Sequence, residues 1–515
     1  MFRNLSKVLQ SPHFRTYASK PSVKQPVSPK TPLITCKVSK FNQYVESGIP
    51  KDTKFGTIPL ASSGWTHYKS KGDRFTIHPI ASLPHDEPVD KSFADIQLDE
   101  QIVKNLKLRL DVSNPNSIQL NAFESVIRND HTLIAAETGC GKTLAYLIPI
   151  VQKILSLKEK HLNDEMNTPT ALILTPGREL ASQIGIVAEK LCTNLNINVK
   201  TIIGGKTKRL MMDPEFGQVD ILVGSMGAVS KLVTTGVYRM QCVRHVVIDE
   251  ADTMFDDTFS DKLVHLMKRF PLHRNHIQEI DSSIIGTQLI LASATMPTNI
   301  QELLQNVIDT TTINEVVSPS LHRLLPNVTQ TFLRMSKMHR PIQMLAIVKE
   351  ELSKKRPVII FSNKSSSCDY VSIFLNDHDV ECVNLNGDML VQIRTGQFDK
   401  FQTGQVHVLS TTDVASRGLD TTRARHVINY DFPLHVSDYI HRVGRIGRIG
   451  SHEKCQVTNF VSSHRELSVV QRIEHAARTA TVLPNVNANI SNIISKKYIK
   501  EMETEEKRYL NSLKE

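Results

Sequence analysis

The stretch of residues 133–144 constrains the fold of this chain more strongly than any other. Two apolar residues lead into a loop of small residues that ends in Gly-Lys-Thr, and a helix-forming run follows the loop. Glycines in such a loop let consecutive backbone N–H groups point at an anion, and the helix start adds the positive end of its dipole. Because strand, loop and helix come in the order that phosphate binding needs, a chance glycine-rich turn is the weaker interpretation.

The residues of this loop suit different parts of a phosphate chain. Lys142 can reach the terminal phosphates, and the Thr143 hydroxyl can hold Mg²⁺. Ala136 stands where the usual pattern has its first glycine. The predicted nucleotide-binding loop consists of Ala136, Glu137, Thr138, Gly139, Cys140, Gly141, Lys142 and Thr143.

Composition limits the class of protein. The chain has 515 residues, enough for two or three domains, and its 40% hydrophobic and 22% charged residues are ordinary for globular proteins. No apolar run in the sequence has the length that crosses a bilayer, so we expect no membrane span. The seven cysteines include no Cys-x-x-Cys pair, so we expect neither a zinc site nor a disulfide framework.

Positive charge is concentrated at the N-terminus. The net charge is +10, and residues 1–90 hold 13 Lys/Arg against 6 Asp/Glu. The first 45 residues carry eight of these basic residues and no acid, and Phe2, Leu5 and Leu9 share one helical face. This composition predicts a mitochondrial transit peptide over residues 1–17. The alternative is a disordered basic arm that binds nucleic acid.

Residues 18–92 are predicted to form a basic N-terminal extension. Its first part, up to residue 62, is rich in Pro, Ser and Lys, lacks periodicity and is predicted to be a flexible arm. Aromatic and basic residues interleave over residues 64–75 around Trp65, the single tryptophan of the chain. Two interpretations remain open: the segment stacks on RNA, or its tryptophan docks onto the neighbouring domain.

From Phe93 onward, apolar strand-like runs alternate with helical stretches, and the series restarts after about residue 318. The pattern predicts two similar α/β domains, each a parallel sheet with helices on both faces. We place the domains at 93–318 and 326–483, a linker at 319–325 and a C-terminal tail at 484–515.

One of the predicted strands ends in carboxylates. Residues 246–248 are apolar, and Asp249, Glu250 and Asp252 follow. Ligands of such sheets sit at the carboxyl ends of strands, so we expect these acids close to the phosphate loop. Asp249 can hold Mg²⁺, and Glu250 can orient and deprotonate an attacking water. A solvated turn is the alternative, and the phosphate loop upstream makes it the weaker one.

Five patterns along the chain resemble motifs of the DEAD-box RNA helicases. In chain order they are Phe93 with Gln119, Asp249-Glu250-Ala251-Asp252, Ser293-Ala294-Thr295, residues 413–420 and residues 441–448. Their joint order and spacing carry the resemblance, which covers about residues 93–460. It implies two tandem RecA-like domains that bind ATP, Mg²⁺ and RNA in the cleft between them.

The resemblance also implies roles for individual side chains. The amide of Gln119 would donate to and accept from the adenine edge, and Phe93 would pack on the base. Arg445 and Arg448, three residues apart, would reach across the cleft as arginine fingers that stabilise the transition state. Asp420 would bind the ribose. The residues implied in coupling the two domains are Asp252, Ser293, Thr295, Arg417 and His441.

The predicted RNA contacts follow from the same resemblance. Gly177 and Ala228 stand where the family has threonine and arginine, so a hydroxyl and a cationic contact to phosphate are missing. The family binds sugar and phosphate rather than base edges. The implied RNA-binding residues are Arg178, Gly204, Gly205, Ser362, Asn363, Gly387, Arg394 and Thr412.

Together these features predict a monomeric, ATP-dependent RNA helicase of the mitochondrial matrix. The chain resembles fungal mitochondrial members of the family. That resemblance implies mitochondrial ribosomal RNA as the target, ribosome-precursor proteins as partners, and a role in RNA metabolism or large-subunit assembly. One alternative is an ATP-gated RNA clamp or assembly scaffold that unwinds little. A DNA helicase is a further alternative, which the Q and Asp-Glu-Ala-Asp motifs disfavour.

Overall fold

A computed structural model gives the fold of most of the chain. The residues it describes are 31–48, 58–79, 91–159, 165–205, 207–255, 260–270, 272, 279–280, 283–284, 286–296, 304, 308–413, 421, 423–447, 454–484 and 486. The predicted transit peptide and nearly all of the predicted tail lie outside these residues. So do three predicted site residues: Arg417, Asp420 and Arg448.

The described strands alternate with helices over most of the chain. In chain order they are β1 (Pro32–Cys36), β2 (Gln43–Tyr44), β3 (Arg74–Ile77), β4 (Thr132–Ala135), β5 (Ala171–Thr175), β6 (Val199–Ile202), β7 (Ile221–Ser225), β8 (His245–Asp249), β9 (Glu279–Ile280), β10 (Ser283–Ile284), β11 (Gln288–Ser293), β12 (Asn314–Val317), β13 (Val328–Arg334), β14 (Val358–Ser362), β15 (Cys382–Leu385), β16 (Val408–Thr412), β17 (His426–Asn429) and β18 (Cys455–Val461).

The described α-helices begin after the N-terminal strands. No helix among the described residues is both long and apolar enough to cross a membrane. In chain order the helices are α1 (Glu100–Arg109), α2 (Ser117–Ile127), α3 (Lys142–Glu159), α4 (Arg178–Leu191), α5 (Thr207–Met212), α6 (Met226–Thr234), α7 (Ala251–Met254), α8 (Ser260–Met267), α9 (Arg340–Ser353), α10 (Ser365–Asn376), α11 (Val391–Thr403), α12 (Val436–Val443) and α13 (His464–Thr479).

The first domain is built on a seven-stranded parallel sheet. The strand order is β12-β4-β11-β8-β5-β7-β6, and each neighbouring pair runs parallel. Every residue of β5, β7, β8 and β11 is buried, as expected for a sheet covered by helices on both faces. Strands β4 and β8 flank β11, so the phosphate loop after β4 and the carboxylates at the end of β8 lie at the same edge.

The second domain repeats this architecture and then departs from it. Six strands in the order β15-β16-β14-β17-β18-β13 run parallel, which confirms the predicted pair of RecA-like α/β domains. Beyond β13 the sheet continues with β3, β1 and β2, all antiparallel. Strands from the N-terminal extension therefore enlarge the second sheet, which is more than 250 residues away along the chain.

The N-terminal extension is in part a folded component of the second domain. The prediction of a flexible arm up to residue 62 is wrong for residues 31–48, which include β1 and β2. Trp65 is only 1% exposed and belongs to the same apolar cluster as Phe332. Of the two interpretations of Trp65, docking is therefore correct and stacking on RNA is wrong. The reason is that an isolated apolar ring is more stable against an apolar sheet face than in water.

Candidate active site

The phosphate loop connects β4 to α3. Gly139 and Gly141 have φ values of 85° and 86°, a left-handed conformation that other residues seldom adopt. The Nζ of Lys142 donates to the carbonyl oxygens of Ala136 at 2.6 Å and Glu137 at 2.8 Å. The lysine thus spans the mouth of the loop, where a cation can meet a phosphate chain.

A cavity of about 340 Å³ opens beside this loop. Its lining includes polar groups, among them Lys142, Thr143, Asp249 and Glu250. Its lining also includes apolar side chains, which suit a planar base more than a charged group. These are Leu110, Val112, Leu144, Leu180, Ile184 and Val187.

Asp249 is buried at the end of β8 and is held from two sides. The Tyr146 hydroxyl on α3 donates to its Oδ2 at 2.8 Å, and the backbone N–H of Glu250 donates to its Oδ1 at 2.8 Å. Burial raises the pKa of Asp249 to about 6, although the Tyr146 hydrogen bond acts in the opposite direction. A cation bound here would favour the ionised carboxylate.

Glu250 directs a carboxylate into the cavity from a left-handed backbone, with φ 51°. Its Oε2 and the Oε2 of Glu137 are both buried without a hydrogen-bond partner among the described residues. Such orphaned oxygens need a bound water, cation or ligand proton to offset desolvation. Thr143 and Asp249 line the same cavity and offer oxygen ligands, the kind that Mg²⁺ prefers, so these two residues fit the ion.

Arg445 reaches the same cavity from the second domain. Its side chain is buried, and its Nε donates to the carbonyl oxygen of His441 at 3.1 Å. Burial lowers the pKa of Arg445, and the charge of Glu250 opposes that shift. Next to it, a Cβ added to Gly444 would lie 1.5 Å from the Oγ1 of Thr138 in the phosphate loop. The two domains are therefore in close contact at this point.

A hydrogen-bonded network crosses the domain boundary beside the cavity. The Thr295 hydroxyl donates to Oδ2 of Asp252 at 2.7 Å, and Nε2 of His441 lies 3.3 Å from the same oxygen. The backbone N–H of Thr295 donates to the Ser293 hydroxyl at 3.3 Å. Burial alone would raise the pKa of Asp252, but His441 and Thr295 outweigh it and hold that pKa well below its usual range. The structure thus joins four of the five predicted coupling residues.

Predicted RNA contacts of the first domain lie together at the start of α4. Arg178 is packed against Gly204 so closely that a Cβ at position 204 would lie 2.7 Å from the Arg178 Nε. Gly205, with φ 105°, is exposed. Glu179, the neighbour of Arg178, pairs at 2.5 Å with Arg394 of the second domain. RNA-contact residues predicted in different domains therefore come close together across the cleft.

The predicted RNA contacts in the second domain differ in accessibility. Gly387 is exposed, whereas Ser362 and Thr412 are buried. The Oδ1 of Asn363 accepts from Arg442 at 2.6 Å, and Arg442 also binds Asp413 through two hydrogen bonds of 2.6 Å. The side chain of Asn363 is thus engaged within the domain, and its contact with RNA remains a prediction.

Comparison with known proteins identifies the family. Residues 116–303 match the family model described as DEAD/DEAH box helicase, and residues 337–450 match the helicase conserved C-terminal domain. Over 504 residues the chain is 32% identical to mouse (Mus musculus) probable ATP-dependent RNA helicase DDX28, covering 95% of this chain and 93% of that protein. This chain belongs to the DEAD-box RNA helicases. The human (Homo sapiens) DDX28 protein is 33% identical over 477 residues, which cover 90% of this chain and 87% of that protein.

The fold of this DEAD-box helicase is shared by a solved structure of Mss116p bound to ssRNA and AMP-PNP. The two chains are 21% identical and superpose with a TM-score of 0.63, over 80% of this chain and 87% of Mss116p. At this identity the likeness supports the arrangement of the two RecA-like domains and nothing finer.

The two predicted adenine contacts, Phe93 and Gln119, are not among the residues that line the cavity. Phe93 is 2% exposed within the core of the first domain. The side chain of Gln119 accepts from the backbone N–H of Asn116 at 3.1 Å and donates weakly to the Gly141 carbonyl at 3.4 Å. Gln119 therefore supports the phosphate loop in this structure, and the contact of both residues with adenine remains a prediction.

Sequence reasoning missed several residues of the site. Tyr146 holds Asp249, and the cavity lining includes Val112 and Leu180. In the predicted linker, the Nε2 of His322 accepts from the backbone N–H of Met296 at 3.0 Å. The sequence does contain a signal for Tyr146. It lies one helical turn after Lys142, and residues three or four apart share a helix face.

Proposed function

We propose that this helicase hydrolyses ATP when its two domains close, and that it uses this cycle in mitochondria to bind and locally unwind or remodel RNA. The observation that carries the proposal is the placement of Glu250 and Arg445, from different domains, in one cavity with Lys142. A site divided between two domains is assembled by closure and dismantled by opening. ATP turnover can therefore set when RNA is bound and when it is released.

Each side chain in the cavity has a distinct task in this mechanism. Lys142 stabilises charge on the terminal phosphates, and Glu250 accepts the proton of the attacking water. Arg445 stabilises the charge that develops on the transferred phosphoryl group. Thr143 and Asp249 would hold Mg²⁺, which neutralises phosphate charge when bound. In the same proposal Arg448 is a second arginine finger and Asp420 binds the ribose.

RNA acts on the same domain boundary. Arg178 in the first domain is the neighbour of Glu179, which pairs with Arg394 in the second domain. An RNA phosphate chain that binds both arginines bridges the cleft and favours closure, so RNA should stimulate hydrolysis.

The proposed location rests on residues 1–45, with eight basic residues and no acid. Mitochondrial ribosomal RNA, bound during assembly of the large subunit, is the target we propose. Crosslinking the protein to RNA in isolated mitochondria tests this assignment. Recovery of large-subunit ribosomal RNA is the expected result, and recovery of messenger RNAs alone contradicts it.

An ATP-gated RNA clamp that unwinds little is a second candidate, which two positions favour. Gly177 has no side chain to contact phosphate, and Ala228 is 3% exposed within the core of the first domain. The discriminating experiment measures displacement of a strand from a short RNA duplex with ATP and with a non-hydrolysable analogue. Displacement with ATP supports a helicase, whereas tight binding without displacement supports a clamp.

The role of the divided site is tested with Arg445→Ala. We expect ATP binding to persist, because the phosphate loop is intact, and RNA-stimulated hydrolysis to fall by about a thousandfold, the effect typical of an arginine finger. An unchanged turnover number would contradict the proposed role of Arg445.

A further inference from the structure

The N-terminal extension is joined to the second domain by continuous backbone pairing. Strand β3 lies antiparallel to β13, with Phe75 opposite Phe332. The ladder extends past the strand ends, because the Gly72 N–H donates to the Arg334 carbonyl at 2.7 Å and the Arg334 N–H donates to the Asp73 carbonyl at 2.9 Å. The extension therefore has a fixed register against β13.

Aromatic rings connect this ladder to the helix that leads to the catalytic arginine. Trp65 lies 5.5 Å from Phe75, and the Phe75 ring is stacked on Phe332 with centroids 4.6 Å apart. Phe332 in turn lies 6.2 Å from Tyr439 on α12. The Tyr439 hydroxyl donates to Oε1 of Gln330 on β13 at 2.6 Å. All five side chains are buried, so the chain of contacts is closely packed.

Helix α12 has only eight residues, and its position depends on what its buried face contacts. Tyr439 lies on that face, His441 follows two residues later, and Arg445 follows the helix. The contact of Phe332 with Tyr439 thus fixes the helix near the point where the phosphate loop meets Gly444. A shift of α12 would move Arg445 relative to Glu250.

A second attachment holds the extension to α13. Glu474 is fully buried, and its carboxylate accepts from the backbone N–H groups of Ala61 at 2.7 Å and Ser62 at 2.9 Å. Arg478 donates to the same carboxylate at 2.7 Å and to the carbonyl oxygen of Phe41 at 3.0 Å. A buried carboxylate is stable only with such partners, so this contact fixes the segment that carries Trp65.

We propose that residues 31–79 position the catalytic arginine helix, with Trp65 and Phe75 as the positioning residues. Their rings hold Phe332, and through it Tyr439 and α12, in the register that places Arg445 in the ATP cavity. The inference rests on the role proposed above for Arg445. It assigns to the extension an indirect part in hydrolysis, through the position of Arg445.

The test replaces Phe75 by Leu and, as a second variant, by Met. Both replacements keep an apolar side chain and remove the ring. Because misplacement of a catalytic group by about 1 Å costs on the order of a hundredfold, we expect the turnover number of RNA-stimulated ATP hydrolysis to fall by about ten- to a hundredfold. The KM for ATP should change by less than about twofold, since the phosphate loop is untouched.

One measurement and three further variants separate positioning from loss of folding. Trp65 is the single tryptophan, so a blue-shifted emission reports that the extension is still docked in each variant. Thr76→Val is the matched control on the opposite face of β3, where the Thr76 hydroxyl shares a hydrogen bond of 3.2 Å with the Thr331 hydroxyl. Tyr68→Ala removes a ring that is 69% exposed. Both controls should keep the turnover number, and Trp65→Phe, which retains a ring, should keep most of it.

The outcomes distinguish this inference from the proposed function. Normal turnover in docked Phe75→Leu or Phe75→Met, together with lost turnover in Arg445→Ala, would overturn the inference and leave the function standing. An equal loss in Thr76→Val would also overturn it, because strand pairing rather than the rings would then be responsible. Normal turnover in Arg445→Ala would instead refute the role of Arg445.

Discussion

At the scale of single residues, the site depends on carboxylates that are buried and unequally partnered. Asp249 is held by Tyr146, whereas one oxygen of Glu250 has no partner among the described residues. The sequence predicts both acids, because a buried strand that ends in carboxylates next to a phosphate loop has few other uses. It does not predict Tyr146, since a hydrogen bond between residues 103 positions apart depends on helix packing.

Glu250→Gln should separate ATP binding from hydrolysis. The amide keeps the size of the side chain and cannot accept the proton of the attacking water, so hydrolysis should fall by about a hundred- to ten-thousandfold. ATP affinity should be nearly unchanged, and the protein should accumulate in a closed, RNA-bound state.

Lys142→Ala is the comparison: it should weaken ATP binding itself, because it removes a charge-assisted contact. Nucleotide binding and single-turnover hydrolysis measure both, and normal hydrolysis by Glu250→Gln would refute the assignment.

At the scale of elements, the described strands and helices follow the sequence pattern closely within the two α/β domains. The pattern fails in the N-terminal extension, where β1, β2 and β3 have only two to five residues. Such short strands carry little periodicity of their own, and β3, which joins them to the second sheet, pairs with β13, which begins at residue 328. Long-range pairing of this kind is decided by burial of Trp65 and Phe75 rather than by local propensity.

The contact of Asp252 with His441 joins α7 to α12 and should depend on pH in a defined direction. Because the folded pKa of Asp252 is depressed, its contribution to stability is complete above the unfolded pKa of about 3.9 and is lost as pH falls through the folded value. Asp252→Asn should therefore lower Tm at pH 7, and the difference from the wild type should narrow as pH falls below about 4.

Thermal unfolding between pH 7 and pH 3.5 measures this effect. Asp213→Asn is the control. Asp213 is exposed, so this replacement should leave Tm nearly unchanged. A Tm difference for Asp252→Asn that stays constant over this pH range would show that the carboxylate charge is not responsible.

At the scale of the whole molecule, two N-terminal truncations should affect different properties, the first cellular location and the second stability. Deleting residues 1–17 should leave ATP hydrolysis intact and keep the protein in the cytosol, because it removes only the predicted targeting segment. Deleting residues 1–79 removes β1, β2 and β3, uncovers Phe332 and should lower Tm and promote aggregation. Cell fractionation and thermal unfolding check these results. If the protein without residues 1–17 were still imported into the matrix, the targeting signal would lie elsewhere in the chain.

In the proposed mechanism, closure of the two domains assembles the ATPase site, and Gly444→Ala should obstruct that closure. The added Cβ would lie 1.5 Å from Thr138 Oγ1, so the helicase cannot close without a shift. Gly217→Ala is the matched control, because nothing lies within 4 Å of its added Cβ. The measurement is RNA-stimulated ATP hydrolysis at saturating ATP. We predict at least about a tenfold loss for Gly444→Ala, with ATP binding retained, and normal turnover for Gly217→Ala. Wild-type turnover in Gly444→Ala would contradict the claim.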